Sequence, residues 1–97
     1  MTLAIRFRVE ARHDIQEAYD WYEERSEGLG ERFLAAVDEC LDRVADDPRT
    51  FPAVHADVRR AFLQRFPFAI LYRIEGEFIT VLGCFHGRRN PRTWQER

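Results

Sequence analysis

Two amphipathic segments meet at Gly28-Leu29-Gly30, and that junction constrains the architecture more than any other feature of the 97 residues. Upstream, Ala11, Ile15, Ala18, Tyr19 and Tyr22 recur at helical spacing, with Trp21 beside the stripe. Asp14, Glu17, Asp20 and Glu24 occupy the rest of that helix. Downstream, Phe33, Val37, Cys40, Leu41 and Val44 form the stripe of a second helix over 31–46, with Glu39 and Arg43 as an i,i+4 pair. Pro48 ends it. The two glycines allow only a short turn, so the helices should fold back as an antiparallel hairpin. Each helix has one apolar face, so the hairpin needs a surface to lie on.

The rest of the chain supplies strands. From Leu3 to Val9, Leu3, Ile5, Phe7 and Val9 alternate with Arg6 and Arg8, the pattern of a half-buried strand. Residues 49–57 read as a loop containing Pro52. Val58 to Gln64 reads as a strand, broken by Phe66-Pro67, and strands follow over Phe68–Ile74 and Phe78–Phe85. Glu75-Gly76 is the expected two-residue turn of a hairpin. It sets Arg73 opposite Phe78, Tyr72 opposite Ile79, Leu71 opposite Thr80 and Ile70 opposite Val81. Phe68, Ile70, Tyr72, Ile79, Val81 and Phe85 should then bury against the helices. Ala69, Leu71, Arg73, Phe78, Thr80, Leu82, Cys84 and His86 should form the opposite face, which no helix covers. An apolar face of that kind calls for the tail or a partner to shield it. The expected fold is one α+β domain over 1–97, ordered β-α-α-β-β-β. Its sheet is mainly antiparallel, with the helical hairpin on one face and the partner of the first strand left open.

Composition narrows the function classes. The net charge is −2, but its halves differ: residues 1–48 hold six arginines against thirteen acids, and residues 49–97 hold nine against four. Every basic residue except the histidines is Arg. A guanidinium fork binds carboxylate or phosphate bidentately, so the C-terminal half suits an anionic partner. Cys40 and Cys84 lack metal-ligand spacing and read as reduced, buried thiols of a cytoplasmic protein. Asp38, Asp42 and Asp46 mark a solvated helix face rather than a metal site. No cofactor or metal is expected. No apolar run approaches the roughly 18 residues of a membrane span, and Arg6 and Arg8 interrupt any signal-peptide plan. These features exclude a secreted disulfide scaffold, a membrane protein, a zinc finger and a multidomain enzyme.

The ordered series of short segments resembles one family. It comprises Ala11-x-x-Asp14-Ile15, Ala18-x-x-Trp21-Tyr22-Glu23, Gly28-Leu29-Gly30 with Phe33, Pro48, Phe51-Pro52, and Arg59 or Arg60. Phe66-Pro67-Phe68-x-Ile70-x-Tyr72 and His86-Gly87-Arg88-Arg89-Asn90-Pro91 with Trp94 complete it. The chain resembles the RelE/ParE superfamily of type II toxin–antitoxin toxins (plasmid stabilisation proteins) over nearly its whole length, and is nearer the ParE-like side. The resemblance implies a toxin neutralised by a cognate antitoxin that wraps its sheet face and Arg-rich half. It also implies a hetero-oligomer with that antitoxin, no membrane association and no DNA binding by the toxin alone.

Two mechanisms exist in the superfamily, and the fold does not choose between them. ParE-like members inhibit DNA gyrase by protein–protein contact. RelE-like members cleave mRNA on the ribosome. A third possibility is a non-toxic member that binds antitoxin and takes part in operon autoregulation. RNA cleavage needs a base, an acid and cations on the phosphate. His86, with Arg59, Arg60 and Arg73, is the candidate set, and His55 and Asp57 lie in a nearby loop. A purely structural reading has His86 fixing the Gly87–Pro91 turn. The absence of Lys, the last Tyr at Tyr72 and a pI near 5.9 depart from the nuclease pattern. Asn90 departs from the ParE-like pattern, where Asp is usual. Candidate antitoxin or target contacts are Arg59, Arg60, Leu71, Arg73, Leu82, His86, Arg88, Arg89, Arg92 and Trp94. Strand alternation requires one of Arg59 and Arg60 to point toward the helices, as a structural ion-pair partner.

Overall fold

The computed structural model describes residues 3–87. In chain order the elements are β1 (Ala4–Phe7), α1 (Val9–Arg25), α2 (Leu29–Asp46), β2 (Ala53–His55), β3 (Val58–Phe62), β4 (Phe68–Glu75) and β5 (Phe78–His86). The strands form one sheet in the order β1-β5-β4-β3-β2. All neighbours are antiparallel except β1 and β5, which run parallel. The helix hairpin between them carries the chain across one face, so β1 and β5 can lie side by side in the same direction. The expected loop over 49–57 contains the short β2, which pairs with β3 around Ala56-Asp57. β1 ends at Phe7, and Val9 opens α1 with 69% of its surface exposed instead of facing inward.

The helix stripes hold. Phe33, Val37, Cys40, Leu41 and Val44 are buried, as are Ala11 and Ala18, with Ile15 and Tyr22 packed against them. Trp21 stays half-exposed, edge-on to Tyr22 and under the Arg25 guanidinium. The hairpin turn is clamped from α1. Both oxygens of the Glu23 carboxylate accept backbone N–H groups, from Gly28 at 3.0 Å and Gly30 at 2.9 Å. These are free donors at the start of α2, where a negative charge is also favoured by the helix dipole. Gly28 adopts φ +88°, and a Cβ on Gly30 would sit 2.8 Å from the Tyr19 ring.

The β4–β5 hairpin departs from expectation at two points. The turn residues are Gly76-Glu77, since Glu75 pairs with Phe78. Gly76 has φ +61°, the glycine place at the first central position of a type II′ turn. Tyr72 therefore faces Val81 rather than Ile79, a two-residue shift that leaves the inward faces unchanged near the turn. Further along, Tyr72 pairs with Val81 but Leu71 with Gly83, so Leu82 is the extra residue of a β-bulge. Past the bulge the faces of β5 exchange. Cys84 joins the helix-side core, His86 lies opposite Phe68, and Phe85 moves to the other face. The alternation had placed all three the opposite way round, because an inserted residue is invisible to a period of two.

Two further ties join helices to sheet. β1 stops short of this end of β5, and the Cys84 N–H is taken by the Asp14 carboxylate at 3.0 Å. The fully buried Tyr72 donates its hydroxyl to the Pro48 carbonyl at 2.6 Å, holding the chain as it leaves α2.

Candidate functional site

The sheet face turned away from the helices carries a row of arginines. On β1, Arg6 stands beside Thr80 of β5. On β4, Arg73 stands beside Thr80 from the other side. On β3, Arg60 lies opposite Leu71, two residues from Arg73 along β4. Alternation along three adjacent strands brings them to one face. Phe78 and Phe62 stand on the same face, 39% and 49% exposed. Arg6 stacks over the Phe78 ring at 4.4 Å and Arg60 over the Phe62 ring at 4.8 Å.

Most of this charge is answered within the chain. Arg6 donates to the Thr80 hydroxyl at 2.9 Å and to the Glu75 carboxylate at 3.2 Å, and Thr80 donates to the same carboxylate oxygen. The Thr80 hydrogen bond, with Arg6 beside it, holds the Glu75 carboxyl below its ordinary range. Arg73 lies 3.6 Å from Asp57 and 3.9 Å from Glu75. Beneath the arginines, Val58, Leu71 and Phe85 form a second small core, with Val54 and Leu82 packed on it. Leu71 is thus 3% exposed and not a surface contact. The bare apolar face expected from the hairpin is in part a buried cluster ringed by charge.

The structure resolves the choice between Arg59 and Arg60. Arg59 faces the helix side beside Tyr72. Its guanidinium donates to the carbonyls of Arg49 at 3.1 Å and Phe51 at 2.6 Å. It is structural, as expected of the inward arginine, but its partners are loop carbonyls rather than a carboxylate. Arg60 is the outward one.

The four residues named for nuclease chemistry do not converge. His86 lies on the helix side, ring-to-ring with Phe68 at 5.5 Å. It lines a cleft of about 530 Å³ together with Asp14, Glu17, Trp21, Tyr22 and Cys84. Arg60 and Arg73 share the opposite face, and Arg59 is committed to the 49–51 loop. His55 and Asp57 are exposed. Arg88, Arg89, Arg92 and Trp94 lie outside the described residues. Among the described residues no group of His, Cys, Asp or Glu could hold a metal ion, and no helix is long and apolar enough to cross a membrane. Both cysteines are buried. Burial pushes the Cys40 thiol up to about 11, and the Cys84 thiol also upward, with Asp14 adding to it. Sequence reading missed Arg6 and Phe62 as members of the arginine face. The Arg60-x-Phe62 spacing on a strand carried the signal for Phe62.

Comparison with known proteins places this geometry. A family model described as the ParE toxin of the type II toxin–antitoxin system parDE matches residues 5–91. Among solved structures, the chain is similar to one titled as the chromosomal ParDE toxin–antitoxin system of P. aeruginosa. The TM-score is 0.67 at 23% identity, covering 88% of this chain and 96% of that one. It is also similar to a chain of the RelBE2 toxin–antitoxin complex of Mycobacterium tuberculosis. There the TM-score is 0.65 at 25% identity, covering 89% and 99%. Both likenesses concern the fold. No curated protein matches the chain.

Proposed function

The chain belongs to the ParE toxin family of type II toxin–antitoxin systems, and from that membership we propose that it inhibits DNA gyrase by protein–protein contact in the cytoplasm. A cognate antitoxin that covers the arginine face of its sheet holds it in check. The observation that carries the contact mechanism is the separation, among the described residues, of the acid–base candidate His86 from the candidate cations Arg60 and Arg73. His86 lies on the helix side of the sheet, whereas Arg60 and Arg73 lie on the other. A phosphodiester cannot sit within hydrogen-bond reach of groups on both faces at once. The solved relatives are titled as toxin–antitoxin systems and complexes, which supports an antitoxin partner.

The test is a pulse-label in cells after induction of this chain alone, following thymidine and leucine incorporation together. An early fall in thymidine incorporation with accumulating DNA breaks is the expected result. An early fall in leucine incorporation would replace this reading with ribosome-dependent mRNA cleavage. Continued growth with neither effect would leave a non-toxic antitoxin-binding member. His86→Gln should leave toxicity unchanged in a correctly folded protein, measured as plating efficiency after induction.

A further inference from the structure

We infer that Arg60, stacked on the exposed ring of Phe62, is the anchor that receives a carboxylate of the antitoxin, with an apolar antitoxin side chain seated on the ring. The inference rests on the antitoxin reading above and adds a residue pair and the chemistry of the segment that meets it.

Elimination within the structure carries it. Among the described residues three guanidinium Nε atoms, of Arg43, Arg60 and Arg73, are buried without a hydrogen-bond partner. Two have a carboxylate beside them: Glu39 lies 3.5 Å from the Arg43 Nε, and Asp57 lies 3.6 Å from the Arg73 Nε. Arg6 has Glu75 and Thr80, and Arg59 has two carbonyls. Among the described residues Arg60 has neither a carboxylate nor a carbonyl, only the face of Phe62 at 4.8 Å. The Arg60 Nε is buried without an acceptor, and an incoming carboxylate would supply what the chain does not.

Phe62 makes the spot suited to a folded partner rather than a free anion. Phe62 is 49% exposed at the end of β3, beside Arg60. Its position is held from behind. The Phe62 carbonyl accepts the Arg43 guanidinium at 3.0 Å, and a Cβ on Gly87 would lie 3.3 Å from the ring. A rigid aromatic beside an Arg is the composition of an interface anchor, since little side-chain freedom remains to be lost on binding. The matching segment presents Asp or Glu next to Leu, Ile, Val or an aromatic residue.

The experiment co-expresses the full chain with the product of the reading frame adjoining its gene and measures binding of the purified proteins by calorimetry. Wild type should bind. Arg60→Gln and Phe62→Ala should each weaken binding at least about tenfold while retaining the wild-type circular dichroism melt. Arg6→Gln and Arg73→Gln, whose charges are answered internally, should change it less than about threefold. Arg60→Glu should be rescued by one Asp→Lys or Glu→Lys exchange in the antitoxin. Binding of Arg60→Gln within twofold of wild type overturns the inference and leaves the antitoxin reading intact. Failure of wild type to bind the adjoining product overturns the antitoxin reading, and the inference falls with it.

Discussion

Glu23 shows how a residue of the family resemblance acts. Its two carboxylate oxygens close the helix turn by accepting from Gly28 and Gly30. Glu23→Ala should therefore cost about 1–3 kcal/mol by urea denaturation, and Glu23→Gln less, because one acceptor survives. Asp14, Arg59 and Tyr72 act in the same way, tying a helix or loop to the sheet through backbone groups. These four polar side chains belong to the segments that identify the family, and in this structure each does structural work. Tyr72 also predicts a pH dependence. Burial raises its phenol from an ordinary 10.0 to about 12 in the folded protein, with the nearby Arg59 charge working the other way. The native state keeps a proton that the unfolded chain gives up near 10. The stabilisation is complete below pH 10 and is lost as pH rises through 12. Tyr72→Phe should flatten that alkaline decline in equilibrium denaturation, while lowering stability at neutral pH through loss of the Pro48 hydrogen bond.

Among the elements, β5 decides most. Its turn, bulge and parallel neighbour together determine which side chains face the helices. The turn depends on a positive φ at 76, a strain of about 1–3 kcal/mol for a non-glycine residue. Gly76→Ala should lower stability by about that amount, and Gly76→Asn by less, both read from thermal melts. The bulge at Leu82 depends on packing rather than on a turn motif. Gly83 beside it, opposite Leu71, was the one local hint, since a glycine inside a strand often marks such an irregularity. The second helix needed no such help, because its stripe alone placed five residues in the core.

For the whole molecule, the sheet separates two surfaces of unlike chemistry. The helix side presents a cleft with Asp14 and Glu17 among aromatic rings, and the far side presents Arg6, Arg60 and Arg73. The internal ion pairs on the far side are partly exposed and longer than ideal, so they add little to stability. Arg73→Gln should change the unfolding free energy by less than about 1 kcal/mol in chemical denaturation. Antitoxin affinity should fall only modestly as salt is raised, as one interfacial ion pair at Arg60 requires, and the melting temperature of the toxin alone should move little.

The sequence by itself determined the two helices with their faces and four of the five strands, because hydrophobic period, glycine, proline and charge spacing are local properties carried by neighbouring residues, while the short β2 exists only through its pairing with β3. It also determined that exactly one of two adjacent strand arginines must turn inward, because strand side chains alternate. Only the tertiary structure decided which one. Inwardness is set by register, and register depends on how β3 meets β4 rather than on either strand alone. The same holds for β1 against β5, a pairing between residues more than seventy positions apart. It holds for Cys84, Phe85 and His86, which one bulged residue turned to the faces opposite those that alternation predicts. The arginine face is likewise a tertiary product: its members come from three strands, and only their assembly shows which of these three described cations are already partnered and which is not.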